Sequence, residues 1–129
     1  MGNKDNTARM TLDLNRSRFR IHQATLHKLG DPKYIQFLIN PEEMYIAVLG
    51  SDKPLAGGTA NRVNIIKRTG YQSVEFYSMS LLNGIINMVG VLDPRYSYRL
   101  TGEVDLPNRV AYFSMRTLKK NERRLQQDE

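Results

Sequence analysis

A chain of 129 residues, 40% of them hydrophobic and 25% charged, is long enough for one domain with its own core, or for one domain built from two small repeats. The absence of cysteine excludes disulfides, thiol nucleophiles and thiolate metal sites, and no apolar run approaches the length of a membrane span. The formal charge of +6 favours an anionic partner, nucleic acid above all, and with no signal-peptide core at the start the expected location is the cytoplasm.

In chain order, residues 1–9 are polar and aperiodic and are expected to be disordered. Residues 10–14 alternate as a strand does, and Asn15 to Ser17 form a turn. In residues 18–30, Phe19 and Ile21 point one way and Arg18, Arg20 and His22 the other, the period of a half-buried strand. The period then changes. Ala24, Leu26 and Leu29 share one face of a short helix, with Gln23, His27 and Lys28 away from it, and Gly30 and Asp31-Pro32 stop it. Residues 34–39 and 44–49 are rich in β-branched and aromatic side chains and flank Asn40-Pro41-Glu42-Glu43, which predicts an antiparallel hairpin. Residues 50–61, with Pro54, Gly57 and Gly58, read as a loop. The Lys-Ser or Lys-Thr of a nucleotide-binding loop is absent from it. Residues 62–68 predict another strand, with basic ends.

The pattern then begins again. Residues 73–77 alternate as a strand, Ser78 or Ser80 can cap a helix, and Leu81, Leu82, Ile85, Ile86 and Val89 recur at helical spacing through residues 79–89. Gly90 ends that helix and Asp93-Pro94 turns the chain. Residues 96–104 and 109–115 form a second hairpin around Asp105-Leu106-Pro107-Asn108. Residues 116–129 are highly charged and are expected to be a frayed helix or a disordered tail. The organisation is thus an α+β domain over residues 10–115, with one repeat at about 18–68 and another at about 73–115, between a disordered start and a charged tail. Strands from both halves could join in a curved antiparallel sheet with both helices on one face.

Few residues invite chemistry. His22 and His27 lie five apart, off the i, i+4 spacing of a paired metal site, and no carboxylates stand together as acid and base. Ser78, Ser80 and Ser114 lack a nucleophile elbow. No enzyme activity, metal or cofactor is expected. The basic residues are the candidates: His27, Lys28 and Lys33 around the first helix; Arg62, Lys67 and Arg68 on the third strand; Arg116, Lys119, Lys120, Arg123 and Arg124 in the tail. Gathered on one face they would track phosphates.

The β-α-β-β-β order, occurring twice, resembles the repeat of sliding DNA clamps, the ring-shaped processivity factors of replicative polymerases. Phe19-Arg20-Ile21-His22-Gln23-Ala24-Thr25-Leu26-His27-Lys28-Leu29 is similar to the first strand and helix of a bacterial polymerase III β-subunit domain. Val74-Glu75-Phe76 resembles another such opening strand, and Arg95-Tyr96-Ser97-Tyr98-Arg99-Leu100-Thr101-Gly102 the strand after the helix. The resemblance implies one clamp-like domain per chain, helices facing DNA phosphates without reading sequence, and sheets joined edge to edge. The implied partners are DNA, further copies of this chain, and other replication or mobile-element proteins, with no membrane. Residues 79–89, the second helix, carry no basic residue and depart from that pattern.

Two other classes stay open. Residues 19–48 also resemble the swapped-hairpin DNA-binding domains of bacterial transition-state regulators. The uncharged second helix best suits a protein-interaction module that binds no DNA.

Overall fold

Alternation of apolar and polar side chains drives most of this chain into strands that bury one face. The structure, a computed structural model, describes residues 6–54, 61–62 and 73–124. Strand β1 (Thr7–Asp13) turns through a single 3-10 turn at Leu14–Arg16 into β2 (Arg18–His22), which runs directly into α1 (Gln23–Lys28). The hairpin β3 (Tyr34–Asn40) and β4 (Tyr45–Ser51) follows, then β5 (Asn61–Arg62). The second half opens with β6 (Ser73–Tyr77) and α2 (Met79–Val89) and continues with β7 (Tyr96–Asp105), β8 (Val110–Ser114), a 3-10 turn at Met115–Thr117 and β9 (Lys119–Arg124).

Among the described residues the nine strands make one sheet in the order β5–β3–β4–β8–β7–β1–β2–β6, with β9 pairing β7, and every pairing is antiparallel. β2 and β6, the strands that precede the two helices, pair with each other and set Phe19 opposite Phe76. The sheet is curled. Five strand steps separate β3 from β2, about 24 Å if the sheet were flat, yet the Phe37 ring on β3 lies 6.4 Å from Phe19 and 6.1 Å from Phe76. The core fills the concave side: Met10, Leu12, Phe19, Ile21, Ile35, Ile46, Val48, Leu100 and Phe113 from the strands, Leu26 and Leu29 from α1, and Leu81, Leu82 and Ile85 from α2. The helices rest on different strands, α1 against β1, β2 and β6 and α2 against β3 and the second 3-10 turn.

Local chemistry explains the boundaries. Asp13 caps the first 3-10 turn by accepting from the Asn15 amide at 3.2 Å, and Ser17 closes it with φ +49°. Ser78 caps α2 by accepting from the Leu81 amide at 3.1 Å, and Gly90 ends it at φ +92°, outside the range other residues adopt readily. Arg109 secures the end of α1 from across the fold. Its Nε donates to the Leu29 carbonyl at 3.0 Å and its Nη2 to the Gly30 carbonyl at 3.2 Å, a cation at a helix C-terminus, while both terminal nitrogens hold Asp52 at 3.1 and 3.2 Å. The Arg109 hydrogen bond keeps the Asp52 carboxyl below its usual pKa.

Three local expectations need correction. β1 starts at Thr7, earlier than the alternation from residue 10 indicates, because Ala8 is buried and the Arg9 amide donates to Thr25 Oγ1 at 3.0 Å. For the same reason the inward face of α1 is Thr25, Leu26 and Leu29, while Ala24 is exposed. Lys119–Arg124 is a strand where a helix or tail is expected. β8 leaves the edge of β7 at Ser114, and β9 takes up the backbone groups of Tyr96 to Arg99 that β8 does not reach. Thr117 bridges the break, its Oγ1 accepting from the Thr101 amide at 3.1 Å and donating to the Thr101 carbonyl at 2.9 Å. Lys120 Nζ lies 4.3 Å from the centre of the Tyr96 ring, a cation–π contact that favours the strand over a free tail. The predicted strand at residues 62–68 lies outside the described residues beyond Arg62, as do residues 55–60 of the predicted loop before it.

Candidate nucleic-acid interface

The side chains that β1, β2, β6 and β7 turn away from the core share one outer face. Register fixes its rows. Arg99 on β7 stands opposite Thr11 on β1, Thr11 opposite Arg20 on β2, and Arg20 opposite Glu75 on β6. The next row holds Ser97, Asp13, Arg18 and Tyr77, and Arg9 faces Thr101 on the other side. Lys119 on β9 pairs with Arg99 across the opposite edge of β7. Four arginines thus occupy three consecutive strands, with a lysine on the strand beyond.

Their electrostatic states differ. Arg18 is tied down: its Nη2 meets Asp13 Oδ2 at 2.9 Å and its Nη1 lies 3.6 Å from Glu75 Oε2. Its buried Nε has no partner among the described residues and borders a cleft of about 100 Å³ between Thr11, Asp13, Arg18, Arg20 and Ser97. Arg20 shares Glu75 with Arg18, the Arg20 Nε lying 3.4 Å from the same Oε2. Arg9, Arg99 and Lys119 are exposed and have no ion-pair partner among the described residues. Tyr77, 62% exposed, adds an aromatic ring to the β6 side. Such a face can hold phosphate oxygens by charge and forked hydrogen bonds.

His22 sits on this face half-buried, and burial first and Arg9 second lower its pKa. A folded-state pKa below the unfolded value means that the unfolded chain binds more protons as pH falls below about 6.5. The contribution of His22 to stability is therefore fully favourable above that pH and declines below it. We expect His22→Gln to lose less stability than the native chain between pH 7.5 and 5.5, measured as the shift in urea midpoint. Equal losses in the two proteins would refute this.

The sequence-predicted candidates fall in three places. His27 Nδ1 pairs with Asp31 Oδ1 at 2.5 Å, and Lys28 Nζ donates to the Thr7 carbonyl at 2.8 Å, so both are engaged within the fold. Lys33 is exposed beyond α1, near Asp52. Arg62 pairs through its backbone with Tyr34, and Lys67 and Arg68 lie outside the described residues. Lys119, Lys120, Arg123 and Arg124 belong to β9, and Lys119 adjoins the arginine face. Arg9, Arg18, Arg20 and Arg99 are not among the sequence-predicted candidates. The alternation of Arg18 and Arg20 with Phe19 and Ile21 marks them as outward, but nothing local says that β1, β2 and β7 are neighbours.

Among the described residues no group of three or more His, Asp or Glu is placed to hold a metal ion, and no helix is long and apolar enough to cross a membrane. No protein-family model, no curated protein and no solved structure matches the chain.

Proposed function

We propose that this is a non-enzymatic protein that binds the phosphate backbone of nucleic acid, without reading base sequence, on the outer face of β7, β1 and β2. The observation that carries the reading is the exposure of Arg9, Arg99 and Lys119 without ion-pair partners among the described residues, beside Arg20, on one face of the sheet. Two strand steps, about 10 Å, separate Arg20 from Arg99, so one guanidinium does not duplicate the reach of the other. The sheet takes the role that a clamp gives to its helices, since α2 carries no basic residue and the bases of α1 are engaged elsewhere.

Fluorescence anisotropy with two labelled duplexes of unrelated sequence, over 50–200 mM salt, tests the reading. Both duplexes should bind alike, with affinity falling steeply with salt. The triple variant Arg9→Ala, Arg20→Ala, Arg99→Ala should reduce the slope of log affinity against log salt by about 3, one for each guanidinium that no longer meets a phosphate. An unchanged slope, or a marked preference for one duplex, would overturn it.

A ring is the second reading. It draws support from the order strand, helix, hairpin in each half and from the pairing of the two opening strands through Phe19 and Phe76. β6 and β9 each pair with a single strand among the described residues, which leaves sheet edges for self-association. Light scattering that finds a ring-sized assembly retained on nicked circular DNA and shed on linearisation would establish it. A monomer indifferent to topology would rule it out.

A further inference from the structure

The same outer surface changes character on β3, β4 and β8. Register sets Leu38, Ala47 and Tyr112 in one row across the three strands. Ala47 is small and forms a floor, while Leu38 and Tyr112, 47% and 42% exposed, stand as walls on either side. Tyr45 meets Tyr112 edge to face at 5.6 Å, and Leu49 continues the apolar surface in the next row. The resulting groove has a volume of about 620 Å³.

Its charge runs against that of the whole chain. Glu42 is the one charged residue lining the groove among the described residues, and no Lys or Arg does so. Beyond Tyr112 the same row continues to Glu103 on β7, and Glu43 flanks Glu42 in the β3–β4 turn. Glu42, Glu43 and Glu103 are exposed and have no ion-pair partner among the described residues. A chain of net charge +6 thus presents an apolar groove with an acidic rim, which would repel the phosphates attracted to the arginine face.

We propose that this groove docks one basic amphipathic helix of another protein. Three strands span two strand steps, about 10 Å, which matches the width of an α-helix. A helix laid along β4 would set its apolar stripe between Leu38 and Tyr112 and its flanking lysines or arginines toward Glu42 and Glu103. Charge complementarity selects a basic helix over an acidic one. Neither described helix of this chain qualifies as the occupant: α1 has six residues, and α2 has no basic residue and buries its apolar side in the core.

The test uses the full chain and a labelled synthetic peptide of about 18 residues, with leucine on one helical face and lysine on the rest. Its control replaces every lysine by glutamate. The lysine peptide should bind at least about tenfold more tightly than the glutamate peptide, and Tyr112→Ala should weaken it by at least about tenfold. Leu38→Ala is the second variant should Tyr112→Ala fail to fold. Glu103→Lys should weaken the lysine peptide several-fold, whereas Glu75→Gln, on the arginine face, should leave it unchanged. Equal binding of the two peptides, or a loss with Glu75→Gln equal to that with Glu103→Lys, would overturn the proposal. So would light scattering that shows a dimer broken by Leu38→Glu, because a second copy would then fill the groove.

Discussion

Replacing Asp13 by alanine should destabilise the protein by about 3–5 kcal/mol, the range for breaking one partner out of a buried ion pair. Asp13 is only 6% exposed, and its carboxylate does two jobs: Oδ2 holds Arg18 at 2.9 Å and Oδ1 caps the turn between β1 and β2. Without it, Arg18 keeps a charge in a position that is 14% exposed and faces only the distant Glu75 oxygen, at 3.6 Å. Urea denaturation of Asp13→Ala, Arg18→Met and the double variant separates the effects. The double variant should recover a large part of the loss, because no orphaned charge remains. If Asp13→Ala costs less than about 1 kcal/mol, the value of an exposed pair, the buried-pair account fails.

Gly102→Ala should cost about 3 kcal/mol or more, at the upper end for overpacking. A Cβ at Gly102 would lie 1.8 Å from the Tyr112 carbonyl oxygen, which is backbone and cannot rotate away, so the register of β7 and β8 would have to open there. Gly84 on α2 supplies the contrast. Its Cβ would meet Ile39 Cδ1 at 2.3 Å, but that atom is the end of a side chain that can turn aside. Alanine also gains about 1 kcal/mol over glycine inside a helix. Thermal unfolding should therefore show Gly102→Ala lowered by about 10 °C and Gly84→Ala close to the parent. Similar midpoints for the two variants would contradict the packing described for β7 and β8.

Much of the local structure is legible in the sequence, because its causes are local. Phe19 and Ile21 alternate with arginines, Ser78 stands one residue before α2, and Asn40-Pro41-Glu42-Glu43 lies between two β-rich runs; each appears in the fold as the pattern indicates. What is not legible depends on distant partners. Thr25 turns inward because the Arg9 amide, sixteen residues away, needs an acceptor. β9 forms because β7 offers backbone groups that β8 leaves unpaired, and a run such as Lys-Lys-Asn-Glu-Arg-Arg carries no apolar period to announce it. The arginine face is hidden for the same reason. A period of two says which side chains point outward, but only the strand order brings Arg9, Arg20 and Arg99 together.

That strand order also has a consequence for how the chain matures. β1 is inserted between β2 and β7, so Met10 pairs with Ile21 on one side and with the remote Leu100 on the other. During synthesis the first strand therefore waits, with one edge open, until the chain through β7 has left the ribosome. Closure of such remote pairs makes folding slow and exposes sticky edges meanwhile. A chain arrested before β7 would have no partner for that edge of β1, and such fragments are expected to be recognised by chaperones and proteases as unfinished protein.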